Sequence, residues 1–345
     1  MLDRLRNLFG ARASAADDAQ LAEPPAGSGR VWFEDREFDV MRGARTEDGI
    51  PHPDWDSARA WVLRFPEAQL AGAWLACERA WLDNLRGSIG LEYRLHESDT
   101  ALLLTSQGAR MASVKLGYLG TTLRRIERVL EEIVDSAHIG KQILIAFDKE
   151  DDYYRYVSGF YPDKGDFAMS SGMHLNFGCS HFVTHGLEID RIEPVIVHEM
   201  THSCLAHLPI PAWLNEGMAV TVEHMFAPRG QEPNHAQELL KKHRAFWTPE
   251  LMQEFWSGAA FHRTDDGNEL SYDLGRILVD GLSSDWSTFK AFVREATLKD
   301  SGAAAAAHHF EVDLGEFVRL FLQRPEGAWA PQASTWEAEP ERGAF

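Results

Sequence analysis

An α+β fold is predicted from three observations. Segments with strand character cluster in the first half of the chain and amphipathic helical segments fill the second. The two kinds do not alternate as they would in a doubly wound parallel sheet. No internal repeat is present, and an apolar helix carrying a His-Glu-x-x-His string marks the change from one half to the other.

Taken in order, residues 1–30 read as a mobile tail rich in Ala, Asp, Gly, Pro and Ser. Residues 31–90 read as a helical extension, which begins with a mixed stretch broken by Pro51 and Pro53. Its main helix covers 66–85, with Leu70, Trp74, Cys77, Trp81, Leu82 and Leu85 at helical spacing and Pro66 suited to the first turn. Strands are expected at 91–95 and 101–106, a long amphipathic helix at 111–136 and a buried strand at 141–147. A short helix with an aromatic surface follows at 150–160, then a strand at 172–177. Beyond the motif, helices are expected at 211–224, 234–246, 249–256, 271–283, 286–295 and 314–322. The segment 325–345 is rich in Pro, Ala, Glu and Gly and is expected to fray.

Composition narrows the function. A chain of 345 residues with 44% hydrophobic and 25% charged residues has ample material for a globular core. Its formal net charge of −19 argues against a nucleic-acid partner, because phosphates would be repelled. Three well-separated cysteines, Cys77, Cys179 and Cys204, do not form a disulfide framework and point to a reducing compartment. Residues 1–10 lack the continuous apolar core of a secretory signal, and no apolar run approaches the roughly 20 residues that span a bilayer. A cytoplasmic protein without a membrane partner is expected.

The chemistry lies in His198-Glu199-Met200-Thr201-His202 and, shortly after, Trp213-Leu214-Asn215-Glu216-Gly217. On a helix, His198 and His202 are one turn apart on one face, so both imidazoles reach a single metal. Glu199 is placed to take a proton from water at that metal. Glu216, on a second helix after a turn marked by Pro209 and Pro211, is the natural third ligand, which leaves a fourth position for water. Two imidazoles and one carboxylate around Zn2+ leave a positive site that acidifies water toward neutrality. The expected reaction is hydrolysis of a peptide or protein substrate.

These residues resemble the gluzincin branch of the zinc metallopeptidases, and more narrowly the peptidase MA-like group, whose glutamate helix reads Trp-Leu-x-Glu-Gly-x-Ala. The resemblance covers roughly residues 91–282, and its specific part is the metal motif. It implies a thermolysin-like zincin core, a small mixed sheet followed by a mainly helical half, within a metallopeptidase domain at 91–324. It also implies that the strand at 172–177 lies along the cleft and pairs with an extended substrate. By the same resemblance Tyr272 is a candidate donor to the oxyanion, although it also reads as a helix-start tyrosine packed on the core. In thermolysin-like chains an acidic residue one turn after the third ligand supports a zinc histidine, whereas this chain has Val220 there. Glu223, two turns after Glu216, either takes that role or is a solvated surface residue.

Other candidates carry less. Cys179, His181 and His185 are metal-binding types in a stretch that reads as a loop, and Cys204 points off the ligand face. His308-His309 follows an alanine run and needs no function. A competing reading keeps the zinc and the fold but not turnover, as a regulatory or interaction module; intact His198, Glu199, His202 and Glu216 speak against it.

Overall fold

The computed structural model describes residues 27–134, 140–160, 172–186, 189–226 and 235–336. The described chain opens with two antiparallel hairpins, β1 (Arg30–Phe33) with β2 (Arg36–Asp39) and β3 (Arg45–Glu47) with β4 (Ile50–His52). The second turns through Asp48-Gly49, with φ of 47° and 78°. This is the left-handed pair whose twist matches that of the strands it joins. Helix α1 (Trp55–Val62) follows, capped by the Asp54 side chain on the Ser57 amide, and then α2 (Glu67–Ile89).

The central element is a five-stranded sheet of β5 (Arg94–Glu97), β6 (Ala101–Thr105), β7 (Gln142–Phe147), β8 (Gly172–Asn176) and β9 (Ser180–His185), in the order β5-β6-β7-β9-β8. Strands β6, β7 and β9 run parallel, and both edges, β5 and β8, run antiparallel to their neighbours. Helix α3 (Ala109–Val129) connects β6 to β7, and α4 (Glu150–Val157) follows β7. The helical half comprises α5 (Ile189–Leu205), α6 (Ala212–Phe226), α7 (His235–Phe246), α8 (Pro249–Ser257), α9 (Asp266–Leu282), α10 (Trp286–Glu295), α11 (Ala303–Phe310) and α12 (Leu314–Leu322). The fold is mixed α+β, as expected.

Strand alternation divides the interior into two cores. Leu102, Leu104, Ile143, Ile145, Phe147, Leu175 and Val183 face a layer built by Trp55, Trp61, Trp81, Leu82 and Leu85 of α1 and α2 with Tyr153 and Tyr156 of α4. Leu103, Leu144, Ala146 and Phe182 face the other way, onto Leu119, Leu123 and Ile126 of α3, Val197 and Met200 of α5 and the apolar faces of later helices. No helix among the described residues is long and apolar enough to cross a membrane.

Five expectations change. The segment 31–90 is only partly helical, since two hairpins precede its helices and its tryptophans share one core with the sheet. The stretch around His181 is not a loop but β9, flanked on both sides within the sheet. Its buried polar groups are satisfied: His181 Nδ1 lies 2.9 Å from the Cys179 carbonyl oxygen and Nε2 lies 2.8 Å from the Tyr156 hydroxyl. Helix α9 starts at Asp266, capped by Asp265, so Tyr272 is in its second turn and not at its start. The chain from Pro325 is held through Trp336: Trp329 is buried, and Trp256 Nε1 donates to its carbonyl at 2.8 Å. The end of the tail expected at 1–30 is likewise held, Gly27 N–H donating to the Asp83 carbonyl at 3.2 Å and Arg30 pairing in β1, while 1–26 and 337–345 lie outside the described residues.

Helix α2 is pinned to both β5 and the start of β7 by Glu97, which accepts from Arg79 Nε at 2.8 Å and from Lys141 Nζ at 2.5 Å. Arg79 foremost, with Lys141, holds the Glu97 carboxyl at about 2 against an ordinary 4.5. A lowered folded-state pKa means that this stabilisation is complete above pH 4.5 and fades as pH falls toward 2. Glu97→Gln is therefore expected to lose about 1 kcal/mol or less at neutral pH, the pair being partly solvated. In denaturant titrations the gap to the parent should narrow through that acid window; a gap that is constant with pH would contradict the pairing.

Candidate metal centre

Helix α5 buries Ile196, Val197, Met200, Cys204 and Leu205 in the second core, which turns His198 and His202 outward along one face. Thr201 is buried and satisfies its hydroxyl within the helix, donating to the Val197 carbonyl at 2.8 Å. After the turn at 206–211, α6 packs against α5, with Trp213, Leu214 and Met218 in the same core. That packing brings Glu216 over the two histidines.

His198 Nε2 and His202 Nε2 are 3.0 Å apart, and Glu216 Oε2 lies 3.3 Å from the first and 3.1 Å from the second. Each imidazole has a second contact at its other nitrogen. His198 Nδ1 lies 3.2 Å from Glu223 Oε2, and His202 Nδ1 lies 3.1 Å from Asn215 Oδ1. A proton on each Nδ1, facing those oxygens, leaves both Nε2 lone pairs directed at the space beside Glu216. Glu199 is on the same helix, and the backbone N–H of His174 in β8 lies close enough to favour its carboxylate form slightly, against the larger effect of burial. The Tyr272 ring centroid is 6.2 Å from that of His198, with Phe261 packed edge-on against its other side at 5.2 Å.

A close helix crossing brings Tyr272 up to this cluster. A Cβ on Gly217 would come within 2.4 Å of the Gly275 carbonyl oxygen, and one on Gly275 within 2.8 Å of the Trp213 carbonyl oxygen. Helices α6 and α9 therefore meet backbone to backbone. The residue before Gly217 is Glu216, and Tyr272 precedes Gly275 by about one turn, so both reach the same space.

The electrostatics follow from drawing six titratable groups together into a half-buried space. Burial alone would strip a proton from His198, but Glu216 and Glu223 override it and push its pKa up to about 10. Burial also works against the His202 imidazolium, and Glu216 again raises its pKa. Glu216 is held well below the usual carboxylate range despite burial, by His202 and His198. Burial pushes Glu199 up. Tyr272 is pushed well above its usual range, by Glu216 first and then by burial, so its phenol keeps its proton.

His198, His202 and Glu216 could hold a metal ion, all three donor atoms lying within 4.8 Å of one another. Glu216 Oε2 and His198 Nδ1 are buried without a well-aligned hydrogen bond, although their charged or polar neighbours lie within 3.3 Å. With both imidazoles neutral, the carboxyl groups of Glu199, Glu216 and Glu223 lack a compensating charge, which a divalent cation supplies. The dimensions suit zinc. Three atoms so spaced have a common centre roughly 1.8 Å from each, close to the reach of about 2.0–2.1 Å at which imidazole nitrogens and carboxylate oxygens would hold zinc.

A scan of protein-family models finds no match to this chain, and no curated protein matches it either.

The structure thus brings together His198, Glu199, His202, Glu216, Glu223 and Tyr272. Val220, one turn after Glu216, is buried and contributes no polar atom. Two contributors went unassigned from sequence. Asn215 was visible only as a neighbour of Glu216, and the His174 amide is a main-chain group whose side chain carries no signal for it.

Two outcomes are expected. Gly275→Ala forces α6 and α9 apart and should cost about 1–3 kcal/mol of stability, with weaker metal retention in equilibrium dialysis; unchanged unfolding and retention would show that the crossing does not set the site. Glu223→Ala removes the contact at His198 Nδ1 and should weaken zinc affinity about 10–100-fold, read by competition with a chromogenic chelator; unaltered affinity would leave Glu223 without a role at the site.

Proposed function

We propose that this chain is a zinc-dependent peptide hydrolase of the gluzincin type, with His198, His202 and Glu216 as zinc ligands and Glu199 as general base. The observation that carries the reading is the convergence of two Nε2 atoms and Glu216 Oε2 within 3.0–3.3 Å beside a half-buried Glu199. Zinc held there would supply Lewis acidity, bringing water near neutral pKa and polarising a peptide carbonyl.

The chain's own residues do the remaining work. Glu199, beside the His174 amide, accepts the proton of the attacking water and returns it to the leaving amine. Burial raises its pKa above that of an ordinary carboxyl, which favours handing the proton on to the leaving amine. Tyr272, kept protonated by its acidic neighbours, donates to the oxygen on which charge develops. Glu223 and Asn215 hold the imidazoles with Nε2 inward.

The surrounding architecture supports a thermolysin-like core. Among the described residues β8 is an antiparallel edge strand, adjacent in the fold to the motif helix, and its His174 amide lies beside the base. An extended peptide laid along that edge would pair with its backbone and bring a scissile bond to the centre. The substrate class proposed is accordingly a peptide or protein in extended conformation.

The decisive comparison is between wild type, Glu199→Gln and His198→Ala. Elemental analysis should find zinc in wild type and in Glu199→Gln but not in His198→Ala. An unbiased peptide library should be cleaved by wild type alone, with cleavage lost on chelation and restored by zinc. Normal turnover in Glu199→Gln would sink the assignment, and zinc without cleavage in wild type would favour a regulatory module on the same fold.

A further inference from the structure

A second group of metal-binding side chains lies on the opposite end of the helical half's sequence. Glu295 is the last residue of α10, and His308 and His309 lie in the last turn of α11. One carboxylate oxygen, Glu295 Oε2, lies 3.1 Å from His308 Nδ1 and 2.5 Å from His309 Nε2. The other oxygen is 3.3 Å from His308 Nδ1, and the two imidazole centroids are 4.5 Å apart. The three donor atoms lie within 4.8 Å of one another, as in the first cluster.

We propose that Glu295, His308 and His309 form a second, solvent-open site for a borderline divalent ion of the zinc, nickel or copper class. Imidazole nitrogens are the preferred ligands of these ions, and a carboxylate completes the set while neutralising charge. The arrangement is held rigidly although its tips are exposed. Phe310, next to His309, packs on Phe292 of α10 with centroids 5.6 Å apart, and Ala305 and Ala306 of α11 are buried. Both helices also end at the cluster, so their carbonyl ends add a negative potential there that favours a cation. A bound ion displaces the protons the imidazoles share with Glu295, and water completes its coordination. With three protein donors and broad exposure, the site binds more weakly than the buried centre and exchanges its metal readily.

The test is equilibrium dialysis of the full chain against excess Zn2+ in a non-coordinating buffer, followed by elemental analysis, for wild type and for the His308→Ala/His309→Ala variant. Wild type should hold one more equivalent than the variant. Excess Zn2+ should also raise the thermal midpoint of wild type more than that of the variant, since binding to the folded state stabilises it. The variant's own midpoint without added metal checks that it folds. Equal stoichiometry in the two proteins would overturn the proposal and leave an ordinary histidine–glutamate ion pair. Because the readout is a difference, it stands whether or not the buried centre proves to be a peptidase site.

Discussion

Where Gly217 and Gly275 meet, two helices touch with no side chain between them. That contact governs the candidate centre more than any single hydrogen bond does. Glu216 and Tyr272 come from helices roughly fifty residues apart in sequence, and their common approach to His198 depends on how closely those helices cross. A methyl group at either glycine would meet a main-chain carbonyl, which cannot move without moving its helix. The Trp-Leu-Asn-Glu-Gly stretch therefore joins two requirements: an acid for the site and, directly after it, the one residue small enough to let the second helix close in.

The cluster this crossing assembles is expensive by itself. Removing carboxylates and imidazoles from water costs more than their mutual attraction returns unless geometry is good and every lone pair is used. Glu216 Oε2 has no well-aligned hydrogen bond of its own. A cation at the common centre would supply both the missing charge and the missing partner, and folding and metal binding would then be thermodynamically coupled. The outer cluster on α10 and α11 is the opposite case. Solvent screens its groups, and it needs no ion to be tolerated.

The parts of this arrangement that were legible in the sequence are those set by local geometry. His198 and His202 share a face because four residues make about one helical turn, and the helices beyond them announce themselves through amphipathic spacing. Contacts made by tertiary approach left no such trace, as with Asn215 at His202 and the His174 amide at Glu199. Strand β9 was obscured by its own composition. His181 and Thr184 look like loop residues until Tyr156, brought in by α4, supplies a buried partner for the imidazole. Helix α11 lacked the apolar–polar alternation that marks an amphipathic helix, because it begins with five alanines. The four strands of the hairpins are only three or four residues each, too short for a period-two pattern to stand out.

One consequence concerns the amide of β8 beside Glu199. It is a main-chain group that every amino acid except proline carries, so its favourable effect on the carboxylate does not depend on the imidazole of residue 174. Exchanging that imidazole for another side chain changes what lines the space but not this dipole. This part of the proposed base's surroundings is thereby written into strand position and sheet register instead of residue identity. A chain could drift widely in sequence at this edge and keep it, provided that the strand stays in line with β9.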